Sequence, residues 1–242
     1  MKKRVDRLLV ERGLADTREK AQALIMAGLV AVDGRPVHKP GMTFPDAANV
    51  EVKESGLRYV SRGGLKLEGA VRHFGLEVAG KTCVDIGSST GGFTHYLLLN
   101  GARRVTAVDV DIKQLDWRLR QDPRVSTIER NARFLVPEDV GEPADLVTID
   151  ASFISLAMLL PRVPAILKPR GFCLALVKPQ FEVGRERVGK GGIVKNADDQ
   201  RQAVDKIVRA GEQAGLAPRG VVESPITGRE GNREYFVLFE RP

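Results

Sequence analysis

Cys83-Val84-Asp85-Ile86-Gly87-Ser88-Ser89-Thr90-Gly91-Gly92-Phe93-Thr94 is the stretch on which the fold turns. Cys83 to Ile86 reads as a short buried strand, the glycines as a turn, and 94–99 as a helix. Glycines at 87, 91 and 92 allow the backbone to turn tightly and approach a ligand where a Cβ would collide. A turn at the carboxyl end of a strand is where open α/β sheets bind nucleotides. The spacing Gly-x-x-x-Gly-Gly is neither the dinucleotide fingerprint nor a P-loop, because no Lys-Ser/Thr follows the last glycine. Without a phosphate anchor, the expected ligand is a nucleoside with no phosphate chain, such as S-adenosylmethionine. Gly87, Ser88, Ser89, Thr90, Gly91, Gly92 and Phe93 are the expected contacts, and Asp85 positions either the turn or the amino group of the ligand.

Downstream of Gly80, apolar runs at 83–86, 105–108, 146–149 and 172–177 alternate with helical segments. That rhythm predicts an α/β fold, a Rossmann-like, mainly parallel sheet flanked by helices. A last run, Tyr235-Phe236-Val237-Leu238-Phe239, follows a Gly231-Asn232 turn and is expected to close the sheet as an edge or antiparallel strand. Asp109 ends the second strand about 20 residues after the glycine turn, where a carboxylate can accept hydrogen bonds from a ribose diol. Asp111 competes for that role, and Asn131 is a candidate for the adenine edge. Two further strand ends, Thr148-Ile149-Asp150-Ala151-Ser152-Phe153 and Ala175-Leu176-Val177-Lys178-Pro179-Gln180-Phe181-Glu182, converge on the same sheet edge. Asp150 and Lys178 are therefore expected to share one pocket, with Asp150 also counted among the cofactor contacts.

The amino-terminal part reads differently. Val5, Leu8 and Leu9 form one helical stripe ended by Gly13, and Ala21, Leu24, Ile25 and Leu29 form a second. Asp16 with Glu19 has capping-box spacing. Val30 and Val32 alternate like a strand, Asp33-Gly34 is a hairpin turn, and 49–52 is a further extended piece. The division expected is a small α+β domain over 1–58, a linker and start of the catalytic domain over 59–79, and the main sheet over 80–242. Lys2, Lys3, Arg4, Arg7, Arg18 and Lys20 offer a basic face to phosphates, interleaved with Asp6, Glu11, Asp16 and Glu19. The glycine-rich, basic stretch 184–195 suits a mobile loop over a polyanionic substrate.

The 242 residues carry a net charge of +7, which fits a polyanionic partner. No apolar run is long enough to span a bilayer and no secretory signal precedes the first helix, so a cytoplasmic protein is expected. Cys83 and Cys173 sit inside strands as buried thiols, and no metal site is expected.

Arg4-Val5-Asp6, Thr17-Arg18-Glu19-Lys20-Ala21, Leu24-Ile25-x-x-Gly28-x-Val30 and Val32-Asp33-Gly34 resemble an RNA-binding module, the S-four-like domain. Ser61-Arg62-Gly63-Gly64-Leu65-Lys66-Leu67, the glycine turn, Asp150-Ala151-Ser152-Phe153, Lys178-Pro179-Gln180-Phe181-Glu182 and Gly231-Asn232-x-Glu234-Tyr235-Phe236 together resemble the TlyA family. These are ribosomal-RNA ribose methyltransferases, often labelled hemolysins, with an FtsJ-like domain behind the S-four-like module. The resemblance spans nearly the whole chain. It implies S-adenosylmethionine as cofactor, cytidine 2′-O-methylation, and a Lys-Asp-Lys-Glu tetrad on Lys66, Asp150, Lys178 and Glu234. It also implies ribosomal RNA or a ribosomal subunit as partner, with no membrane and no DNA, and RNA contacts from Lys3, Arg4, Arg7, Arg18, Lys20 and Arg62.

The residue types suit that chemistry. A ribose hydroxyl is weakly acidic and needs a base within hydrogen-bond reach. A lysine amine serves when burial and neighbouring cations favour its neutral form. Lys178 is the expected base, Lys66 the neighbouring cation, Asp150 the orienting carboxylate, and Glu234 the holder of the substrate hydroxyl or of a lysine. Three competing readings stand beside this one: base methylation, an RNA-binding assembly factor without catalysis, and membrane lysis. A protonated lysine cannot hold an exocyclic amine, and no spanning helix is legible, which argues against the first and last.

Overall fold

The computed structural model describes residues 2–15, 17–26, 28–52, 58–228 and 230–242, and the chain divides into two units, Met1–Arg58 and Tyr59–Pro242. In the first unit, β1 (Lys2–Arg4) leads into α1 (Val5–Glu11) and α2 (Arg18–Met26). The strands β2 (Val30–Val32), β3 (Arg35–Val37), β4 (Thr43–Pro45) and β5 (Val50–Val52) follow. Strands β3-β2-β5 form an antiparallel sheet and β1 pairs with β4. Asp33 and Gly34 both have positive φ (49° and 75°), the signature of the two-residue turn that their pairing requires. Val5, Leu8, Leu9, Ala21 and Ile25 bury the two helical stripes against Val30, Val32 and Val37. Asp16, expected to cap α2, lies outside the described residues; the Thr17 hydroxyl accepts from Lys20 N–H at 3.2 Å.

The second unit opens with α3 (Gly63–Phe74), so residues 59–79 contain a full helix. It continues through β6 (Thr82–Ile86), α4 (Gly92–Leu99), β7 (Arg104–Asp109), α5 (Trp117–Gln121), β8 (Val125–Glu129), α6 (Pro137–Val140) and β9 (Ala144–Ile149). Then come α7 (Val163–Ile166), β10 (Leu167–Val177), α8 (Pro179–Glu182), α9 (Ala197–Gln213), β11 (Ala217–Glu223) and β12 (Tyr235–Glu240). A seven-stranded sheet in the order β11-β12-β10-β9-β6-β7-β8 results, parallel from β10 to β8.

Alternate residues of each strand feed the two faces. Val84 and Ile86 join one cluster with Val108, Val147 and Ile149, while Cys83 joins the other with Val105, Ala107 and Leu146. Burial on both faces is why these strands read as unbroken apolar runs. Burial also pushes the Cys83 thiol up to about 12.

β12 pairs antiparallel with both β10 and β11, so it is an interior strand and not an edge. The edge on that side is β11, whose Pro218 and Gly220 disguise it as a loop in the sequence. An edge strand tolerates both residues, and the pairing slips between them.

Candidate functional site

The strand order reverses at β6: β7 and β8 lie on one side, β9 and β10 on the other. The carboxyl ends of β6 and β9 therefore flank the crevice in which open α/β sheets bind ligands. The Asp150 N–H donates to Ile86 O at 2.9 Å across that reversal. Gly87, at φ +81°, follows directly, and a Cβ there would stand 2.6 Å from Asp150 O. This glycine is required by the neighbouring strand. Gly92 is required by a helix, since its Cβ would run into Ser61 Oγ and lie 2.9 Å from Gly64 N. These glycines make room for neighbouring parts of the chain as well, and Gly87 and Gly92 also line the cleft between the elements they bring together.

A pocket of about 290 Å³ opens there, walled by Ser61, Arg62, Lys66, the turn 87–90, Phe93, Asp150, Ser152 and Lys178 among others. Lys178 follows Val177, whose antiparallel partner is Tyr235 in β12. That register sets the residue before Tyr235, Glu234, beside the residue after Val177. Glu234 is 3% exposed and accepts from Lys66 Nζ at 2.6 Å. Lys178 Nζ lies 2.6 Å from Asp150 Oδ1 and donates to Ser152 Oγ at 2.8 Å. Two nearly buried ion pairs therefore meet at one pocket, and each lysine is held by one carboxylate. Ser152 lies within a motif quoted from the sequence, but only the structure reveals its bond to Lys178. Phe153 beside it is 92% exposed at φ +63°, with its ring 5.1 Å from that of Phe181.

The expected cofactor contacts separate into two groups. Ser88, Ser89, Thr90, Gly87, Gly92, Phe93 and Asp150 line the pocket, whereas Gly91 packs against Leu115 and Leu119. Asp85 lies beneath the turn, fully buried, accepting from Thr94 Oγ1 at 2.7 Å and Thr148 Oγ1 at 3.0 Å. Burial pushes its carboxyl up to about 6. Asp109 braces the turn, accepting from Ser89 N–H at 2.8 Å and from Asp111 N–H at 3.1 Å. Asn131 Oδ1 accepts from Arg133 N–H at 3.1 Å and so caps the short helix Ala132–Phe134. In this structure its side chain is engaged in that cap.

The donor set suits a cationic nucleoside carrying an amino group. Ser88 Oγ and Asp150 Oδ1 are buried at the pocket without a hydrogen-bond partner among the described residues. The 2.6 Å approach of Lys178 to Asp150 is an ion pair outside hydrogen-bond geometry. A ligand ammonium or hydroxyl would supply the missing partners.

In the first unit, three of the expected RNA-facing cations are engaged internally. Asp6, fully buried, accepts from Arg4 at 2.8 Å and Arg18 at 3.0 Å, and Lys3 pairs with Glu11 and Asp46. The Arg4 hydrogen bond holds the Asp6 carboxyl well below the usual carboxylate range. Arg7 is exposed and Lys20 half-buried. Arg62, exposed at the N-cap of α3, lines the pocket.

Comparison with known proteins agrees with this geometry. Residues 59–241 match the model of FtsJ-like methyltransferases, and residues 3–45 match the S4 domain. The chain is 47% identical to the 16S/23S rRNA (cytidine-2′-O)-methyltransferase TlyA of Mycobacterium tuberculosis, over 97% of this chain and 88% of the relative. It is 39% identical to hemolysin A of Brachyspira hyodysenteriae, over 98% and 99% respectively. A solved structure from Streptococcus thermophilus, described as a hemolysin, superposes with a TM-score of 0.77 at 43% identity, covering 99% of this chain and 88% of that one. Among the described residues, no helix is long and apolar enough to cross a membrane.

Proposed function

The chain belongs to the FtsJ-like methyltransferase family, and from that premise we propose that it methylates a ribose 2′-hydroxyl of ribosomal RNA, on a cytidine. The observation that carries the reading is Lys178, a nearly buried amine held between Asp150 and Ser152 on the wall of the pocket that the glycine turn also lines. Similarity to a relative named for cytidine 2′-O-methylation supports the acceptor.

S-adenosyl-L-methionine, when bound, supplies an electrophilic methyl carbon on a sulfonium. Ser88, Ser89, Thr90 and Asp150 would hold it, with Asp109 and Asp85 bracing the turn from behind. Lys178 Nζ is the acceptor for the hydroxyl proton as the ribose oxygen bonds to the methyl carbon, whose bond to sulfur breaks to leave a neutral thioether. Asp150 and Ser152 fix the direction of that amine. Glu234 holds Lys66, which keeps a positive charge at the pocket wall where the oxygen becomes anionic. Arg62 contacts a phosphate beside the target, and the exposed ring of Phe153 offers a stacking face to an unstacked base.

Base methylation finds little here. Neither cysteine lines the pocket, and burial drives both thiols away from the thiolate that carbon-5 chemistry needs.

The test is methyl transfer from labelled S-adenosylmethionine to separated small and large ribosomal subunits, followed by alkaline cleavage mapping. A ribose product blocks cleavage beside the modified nucleotide, whereas a base product leaves it open. Lys178→Ala is expected to lower the rate by at least about 100-fold while retaining cofactor binding. Full activity in that variant overturns the assignment of the base.

A further inference from the structure

The basic stretch 184–195, expected to be a mobile loop over the substrate, carries hydrogen bonds of its own. A reverse turn closes it, with Gly189 N–H donating to Ile193 O at 3.0 Å and Lys190 exposed at its tip. Its far end is anchored by two buried amides. Asn232, 2% exposed, accepts from Val194 N–H at 2.9 Å and donates to Gly192 O at 2.8 Å. Gln200, 5% exposed, donates to Val194 O at 2.8 Å and accepts from the Tyr235 hydroxyl at 2.8 Å.

Asn232 and Tyr235 bracket Glu234. At its other end the loop begins directly after α8, the helix that follows Lys178. Both anchors of the loop are therefore the segments that carry the two ends of the catalytic set. Arg187 is spent on Asp199 and Gln202, and Arg185, Lys190 and Lys195 stand exposed.

We propose that this loop is a prebuilt phosphate-binding rim for the RNA strand beside the target ribose, with Asn232 as the positioning residue that couples the rim to Glu234. The proposal rests on the RNA-methylation reading above. Exposed lysines on a glycine-rich turn suit phosphates, which are recognised as charges without regard to base. A rim fixed before binding spares the cost of ordering a loop on the substrate.

The test uses the full chain, with a short fluorescein-labelled oligocytidylate for binding over a range of KCl and ribosomal subunits for turnover. Lys190→Ala/Lys195→Ala is expected to flatten the slope of log affinity against log salt by about 1.4, at roughly 0.7 per single-strand phosphate contact. Arg201→Ala/Arg209→Ala removes the same charge from the exposed side of α9 and is the reference. Asn232→Ala, with both loop lysines intact, is expected to raise the KM for RNA about tenfold, as expected for two lost buried hydrogen bonds. Asn232→Asp, which keeps the acceptor for Val194 N–H, should recover part of that loss.

An equal slope change in the reference variant, or a wild-type KM in Asn232→Ala, overturns the proposal. Failure of the underlying reading looks different: the wild-type enzyme then gives no alkali-resistant nucleotide, whatever the loop variants do.

Discussion

At the scale of single residues, the decisive feature is how charge is stored. Lys66 and Lys178 each sit against one carboxylate, so among the described residues the positive charge that Arg62 brings to the pocket wall is the one outside these two pairs. Asp85 is the exception, a fully buried carboxyl with no cation bonded to it among the described residues, only Thr94 and Thr148 as side-chain donors, and its value pushed up to about 6 by burial. An unfolded aspartate titrates near 3.9. The folded state therefore holds its proton longer, and no penalty exists below about pH 4. Stability falls as pH rises from about 4 to 6, then stays at the lower level. Asp85→Asn removes that dependence. Its melting point relative to wild type should improve between pH 4.5 and pH 7.5, by an amount equivalent to about 2–3 kcal/mol. Thermal denaturation at both values checks this, and an unchanged difference between the proteins contradicts it.

Pairs of elements set the geometry that the residues need. The reversal at β6 creates the cleft, the antiparallel entry of β12 delivers Glu234, and the close approach of α3 to α4 delivers Lys66. Gly92 permits that last approach. Gly92→Ala has to push α3 from α4, so it should cost about 1–3 kcal/mol of stability. A shift of that helix carries Lys66 off Glu234, and kcat/KM should drop by up to about 100-fold. Gly75→Ala, also in α3's surroundings but with open space for its Cβ, is the comparison. It strains a left-handed C-cap without moving α3 against α4, so turnover should stay near wild type while the melting point falls.

For the whole molecule, the two units have separate cores and separate electrostatic supports. The smaller relies on Asp6, buried between Arg4, Arg18 and Gln22. Asp6→Asn should lower the unfolding transition of the amino-terminal unit by about 1–3 kcal/mol while leaving that of the larger unit in place. Calorimetry of the full chain at neutral pH separates the two. The Asp6 carboxyl is held below its unfolded value, so its support is present above about pH 4 and fades as pH falls further. The sequence alone determined the βα rhythm and the glycine turn and put Asp150 and Lys178 at strand ends, whereas Lys66 and Glu234 were singled out by resemblance to a family. Those signals are local: apolar runs, turn residues and motif spacing are written in consecutive positions. Only the tertiary structure decided which of them meet. Asp109 and Asn131 each accept backbone N–H groups nearby, contacts that the linear chain did not announce. β11 hid behind Pro218 and Gly220, and β12 proved interior because β11 pairs on its outer side. Ser152, Asn232 and Gln200 gained their roles from partners up to 40 positions away. A hydrogen bond is a relation between two places in space, and the linear chain specifies that distance only once the sheet has closed around it.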